Sequence, residues 1–232
     1  MAKGKTYFGH QSVGANVLEG LVDLARRERV ELSVTVRSGP EAFSQPGLLH
    51  EPIGENEKPL SKIEAFERAM DGGIGGRADL AFFKFCYVDF ASTTDVDKVF
   101  ARYEETMARL RTRHPKARLA HVTVPLTVTQ RGIKGSMKAL FGRPRWGESE
   151  NHVRHRYNER LRQMYAGKEP LFDLARLEAT RADGSPESFL HEGRSIPCLV
   201  SSYSDDGQHL NANGRSYLAA KLASFVAETL SG

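Results

Sequence analysis

The chain has 232 residues, 40% of them hydrophobic and 27% charged, with a formal net charge of +4. That length can bury one substantial core, and the balance excludes a disordered or low-complexity protein. No apolar run approaches the roughly 20 residues needed to span a bilayer, and a charge of +4 spread over such a chain speaks against a nucleic-acid partner.

Short apolar runs alternate with longer amphipathic segments. The first residues, Met1 to Lys5, contain no secretory h-region. They fit a cytoplasmic protein if the chain is complete, or a periplasmic or secreted one if a leader has been trimmed. Tyr7-Phe8 reads as the first strand. From Val13 to Arg29, the apolar residues Val17, Leu18, Leu21 and Val22 recur at helical spacing. Leu32 to Val36 is a β-branched strand. Residues 38–59, rich in Gly, Pro, Glu and Ser, read as a long loop. Ser61 to Met70 follows as a helix, Asp79 to Phe85 as a strongly apolar strand, and Val96 to Arg113 as another helix. Leu119 to Val124 is a fourth strand, ended by Pro125. Asn151 to Tyr165 reads as a helix, Pro170 to Leu174 as a short fifth strand, and Asn213 to Leu230 as a closing helix.

Strands that are apolar on both faces and separated by helices predict parallel βαβ units. The expected fold is a flavodoxin-like three-layer α/β/α domain with a mostly parallel sheet of about five strands. One domain is expected over residues 1–232, with an irregular basic insertion at about 126–150. In such folds sites form at the carboxyl ends of the strands, where the strand order reverses.

Two segments carry chemistry. Gly9-His10-Gln11-Ser12-Val13-Gly14 lies between the first strand and the first helix. Unpaired N–H groups and the positive end of the helix dipole favour negative charge there, so an oxyanion beside Ser12 would be stabilised. The competing reading is a serine N-cap with glycines that only permit the turn. Near the other end, Ser204-Asp205-Asp206-Gly207-Gln208-His209 feeds the last helix. An acid three residues before an imidazole can hold one ring nitrogen while the other faces a cleft, as a triad acid does. The alternative is an Asx-turn at Asp206 and a cap at Asn211 or Asn213, with a surface histidine between them.

Taken together, the two segments resemble the SGNH (GDSL-like) hydrolases. That family carries its serine just after the first strand and an Asp-x-x-His just before the last helix, and the likeness extends end to end. The first block departs from the family's Gly-Asp-Ser by one extra residue, as in a divergent branch. The resemblance implies a serine esterase with Ser12 as nucleophile, His209 as base and Asp206 as the orienting acid. It also implies an oxyanion glycine in a second block, for which Ile53-Gly54-Glu55-Asn56 stands in the matching place, and an asparagine in a third block. After the third strand this chain has Lys84-Phe85-Cys86-Tyr87-Val88-Asp89 and no asparagine, so Asn56, Tyr87 or Lys84 would donate instead, with Asn56 preferred. A plain turn at Gly54 and Asn56 is the bland alternative.

Rival chemistries lack their residues. Position 10 is His, where a nucleophile elbow needs Gly, and neither G-x-G-x-x-G nor G-K-[ST] follows the first strand. His114, His121, His152 and His155 sit without nearby Cys or carboxylate ligands, so no metal and no cofactor are expected. Cys86 and Cys198 lie in apolar stretches and read as buried thiols. The insertion interleaves Arg131, Lys134, Lys138, Arg143 and Arg145 with Ile133, Met137, Leu140, Phe141 and Trp146, and reads either as a lid over the cleft or as a solvated loop.

The expected substrate is a small-molecule or polysaccharide ester with a short acyl group such as acetyl. Acyl transfer by the same triad and non-catalytic binding on the same fold are the alternatives. No segment of the sequence speaks to oligomeric state.

Overall fold

The computed structural model describes residues 4–39, 43, 45–129 and 146–231. Five parallel strands form the central sheet: β1 (Lys5–His10), β2 (Val34–Val36), β3 (Gly47–Pro52), β4 (Leu80–Phe83) and β5 (Arg118–Leu119). Their order is β2-β3-β1-β4-β5. Beyond β5 the same line of chain continues as β6 (His121–Val122), which pairs in parallel with β7 (Leu171–Phe172). The five-stranded parallel sheet between helices is the α/β architecture that the sequence predicts, but β3 stands between the predicted strand β2 and β1.

The helices are α1 (Ser12–Arg27), α2 (Pro59–Ala69), α3 (Val96–Arg113), α4 (Glu148–Tyr165), the short α5 (Leu174–Glu178) and α6 (Ala212–Ser231). Local chemistry sets several boundaries. Asp95 caps α3 by accepting from the Lys98 N–H at 3.0 Å, and Arg111 and Arg113 occupy its last turn, where they oppose the helix dipole. Pro59 opens α2, where its missing N–H costs nothing.

Alternation along the strands separates the core into two slabs. Tyr7, Leu49 and Phe83 face α2, α3 and α4 on one side. Phe8, Leu48 and Phe82 face α1 and α6 on the other. Burying a side chain such as Phe82 or Phe83 contributes about 1.5–3 kcal/mol.

The structure corrects the sequence reading in one stretch. Within residues 38–59, expected to be a loop, β3 is a full strand beside β1, in register from Lys5↔Gly47 to His10↔Pro52. Only Leu48 and Leu49 advertise it in sequence, and tertiary pairing on both edges supplies the rest. A hairpin of β8 (Ser188–His191) and β9 (Arg194–Pro197) also went unforeseen. Of the expected insertion, residues 130–145, with the basic side chains Arg131 to Arg145, lie outside the described residues. Leu126, Thr127 and Thr129 run buried on its near side, and Glu148 already opens α4 on its far side. Both thiols are buried, and the Thr129 hydroxyl donates to Cys198 Sγ at 3.7 Å. Among the described residues no helix is long and apolar enough to cross a membrane, and no three His, Cys, Asp or Glu side chains are grouped to hold a metal ion.

Candidate active site

The carboxyl edge of the sheet, where the chain leaves β1 toward one side and β4 toward the other, gathers the predicted residues. At the top of β1 His10 turns inward. Its Nδ1 lies 2.9 Å from the Gln11 carbonyl and its Nε2 2.9 Å from His50 Nδ1. Burial is the main reason its pKa is pushed down to about 4, so the ring is neutral. Gly14 is dictated by this ring, because a Cβ there would sit 2.4 Å from the His10 Cβ.

Gln11 is the cap position of α1, yet its side chain makes no capping bond. Ser12 is therefore the first residue inside the helix, not its cap, and its hydroxyl has no hydrogen-bond partner among the described residues. No side chain caps the first turn, so its N–H groups remain open to an anion. The Gln11 amide instead reaches across to the next loop, donating to the Ile53 carbonyl at 2.8 Å and the Gly54 carbonyl at 3.1 Å. The residue that lengthens the first block thus ties the Ser12 turn to the second-block loop.

Gly54 adopts φ +58°, and a Cβ would meet the Lys62 backbone nitrogen at 2.7 Å, so both conformation and space require glycine. Its N–H has no partner among the described residues. Asn56 Oδ1 accepts from Lys62 Nζ at 3.0 Å, which orients the amide and leaves Nδ2 to donate. Lys62 is also paired with Asp89 at 2.7 Å, both side chains wholly buried. Asp89 accepts from the N–H of Glu57 at 3.0 Å and of Cys86 at 2.6 Å, so one carboxylate joins the Gly54–Glu57 loop to the turn bearing Tyr87.

Asp206 and His209 form the pair that their spacing predicts. His209 Nδ1 is 2.7 Å from Asp206 Oδ2. Asp206 Oδ1 accepts from the N–H groups of Gln208 (2.8 Å) and His209 (2.7 Å) and from the Ser204 hydroxyl (3.1 Å). Partial burial opposes ionisation of Asp206, but these bonds outweigh it and hold the carboxyl well below the usual range. An ionised Asp206 requires the proton on Nδ1, which leaves Nε2 with its lone pair. Nε2 faces the Tyr87 hydroxyl at 3.4 Å. Tyr87 stays a neutral phenol, because burial first, and the nearby Asp206 carboxylate among the lesser causes, push its pKa up to about 12.

The two chain ends converge on this edge. Arg215 of α6 pairs with Glu19 of α1 at 2.5 Å, and Gly20 lies against the Arg215 carbonyl. Ser12 Oγ and His209 Nε2 are nevertheless not hydrogen bonded to each other, since Nε2 is turned to Tyr87. Such bonds commonly tighten only in a substrate complex. Lys84, the remaining candidate donor, is buried, and its ammonium donates to the Phe85 carbonyl at 2.9 Å.

Sequence reasoning passed over Gln11, Lys62, Asp89 and Arg154. Arg154 of α4 lies beneath Tyr87, its Nε donating to the Tyr87 carbonyl at 3.0 Å. The available signal was Asp89, an acid inside an otherwise apolar run.

No protein-family model matches the sequence, and no curated protein matches it. Solved structures do match in shape. An acetyl esterase variant holding an acetate ion is 13% identical, with the match spanning 100% of this chain and 99% of that one at a TM-score of 0.52. A peptidoglycan O-acetylesterase is 15% identical over 80% of this chain and 48% of its own, at a TM-score of 0.50. A Slackia heliotrinireducens protein named as an SGNH hydrolase is 12% identical over 97% and 100%, also at 0.50. At these identities the likeness establishes the fold, a parallel five-stranded sheet between helix layers. This is the architecture that the SGNH resemblance implies.

Proposed function

We propose that the protein is a serine esterase of the SGNH type that works through an acyl-enzyme. Ser12 Oγ attacks the ester carbonyl carbon as His209 Nε2 takes its proton. The C–O bond to the alcohol then breaks, and the imidazolium returns the proton to the leaving oxygen. Water, deprotonated by His209, attacks the acyl-serine and releases the acid. Asp206 holds the productive tautomer and stabilises the imidazolium. The Gly54 N–H, Asn56 Nδ2 and the Ser12 N–H are the oxyanion donors, with Tyr87 a further donor beside Nε2. The observation that carries the reading is the Asp206–His209 pair, whose Nε2 faces the Tyr87 hydroxyl, together with a serine hydroxyl at the start of α1 that has no partner among the described residues.

The acyl group proposed is short, such as acetyl, on a carbohydrate or small ester. The acetyl esterase and peptidoglycan O-acetylesterase of like fold support that choice. Transfer of the acyl group to an acceptor hydroxyl in place of water would use the same residues. A fluorophosphonate probe should label Ser12, and p-nitrophenyl acetate should be turned over by the wild type but not by Ser12→Ala. Wild-type turnover by folded Ser12→Ala, or best activity on acyl chains of about eight carbons or more, would count against the reading.

A further inference from the structure

The turn bearing Tyr87 has a second side. Tyr87, Glu57, Trp146, Glu150, Arg154 and Gln208 wall a cleft of about 590 Å³, within the range of small-ligand pockets. The cleft shares Tyr87 with the imidazole and includes the residue preceding His209, so it lies beside the Asp206–His209 pair. Trp146 is 44% exposed, and the outer edge of its ring rests against Gly207 in the loop that carries Asp206 and His209. Arg154 is only 3% exposed. It donates Nε to the Tyr87 carbonyl and Nη1 to Thr127 Oγ1 (2.9 Å) and Asn151 Oδ1 (2.7 Å), all neutral oxygens.

We infer that this cleft is a saccharide subsite, which holds the alcohol part of the ester as a neutral sugar ring against Trp146. The inference rests on the esterase reading above. A sugar presents an apolar C–H face and a rim of hydroxyls that both donate and accept. The cleft matches both: an exposed indole for the face, the carboxylates of Glu57 and Glu150 and the amide of Gln208 for the rim, and Arg154 as a fixed donor. Among the described residues an anionic ligand fits less well, because Glu57 and Glu150, besides the Lys62-paired Asp89, oppose the Arg154 guanidinium, which is already engaged by neutral acceptors.

Trp146 is the only tryptophan in the chain, so its fluorescence reports directly on this cleft. Ser12→Ala protein, titrated with cellotetraose and chitotetraose, should give a saturable emission change with at least one of them. By calorimetry, Trp146→Leu in the same background should bind that sugar about fivefold to tenfold more weakly. No saturable change with either sugar, or unaltered affinity in Trp146→Leu, overturns the subsite. So does a response to an oligogalacturonate that neutral sugars do not match. Binding needs no turnover. Saccharide binding in a protein that hydrolyses no ester would remove the esterase reading alone, and ester hydrolysis without saccharide binding would remove this one.

Discussion

Lys62 and Asp89 meet inside the protein at 2.7 Å, neither side chain exposed to any degree, and between them they hold the backbone of two loops and the amide of Asn56. A buried charge left alone is far costlier than a buried pair. Lys62→Met should therefore lower the unfolding free energy by about 3–5 kcal/mol in denaturant titrations. Lys62→Met combined with Asp89→Leu should recover a large part of that loss. A single variant as stable as wild type would mean that the pair is not closed in solution.

Asp206→Asn preserves the shape of the loop but removes the charge that holds the proton on His209 Nδ1. Esterase kcat should fall on the order of 10³–10⁴-fold with the fold intact by circular dichroism. A drop of less than about tenfold would indicate that His209 does not depend on this carboxylate.

Tyr87→Phe removes one hydroxyl next to His209 Nε2 and no carbon. If that hydroxyl assists the developing oxyanion, kcat should fall about 10²-fold with KM little altered. A rise in KM alone would assign Tyr87 to ground-state binding.

His10 and His121 are both buried and neutral, each with its pKa pushed down to about 4, chiefly by burial. In the unfolded chain these rings protonate near the ordinary histidine value of 6.5. Between those values the unfolded state binds more protons, so stability is full above the upper value and declines as pH falls toward the lower. Each ring should therefore lose about 2 kcal/mol of stability between about pH 7.5 and pH 5. Buried Glu178, its pKa pushed up to about 8 by burial, changes in the opposite sense. Urea titrations thus read each ring as the part of the pH difference that His10→Gln or His121→Gln removes. A pH difference unaltered in both variants would contradict the burial of these rings.

Much of this was legible in the residues. The amphipathic pattern of α3 gave its span, and the three-residue separation of Asp206 and His209 gave their contact, because both are local. What failed was non-local. Strand β3 shows only Leu48 and Leu49, and becomes a strand because β1 and β2 flank it. Lys62 reads as an ordinary surface lysine on an amphipathic helix, since its partner lies 27 positions away. Gln11 looked like a surplus residue, and only the fold reveals the two carbonyls its amide reaches.

The pairing of α1 with α6 has a consequence for biosynthesis. Ser12 emerges from the ribosome close to two hundred positions before His209, and α6, which packs against α1, later still. At synthesis rates of about 5–20 residues per second, the early half of the chain waits many seconds for the element that completes its helix layer. Until then Val13, Val17 and Leu21, buried in the finished protein, present a sticky face to solvent or to a chaperone.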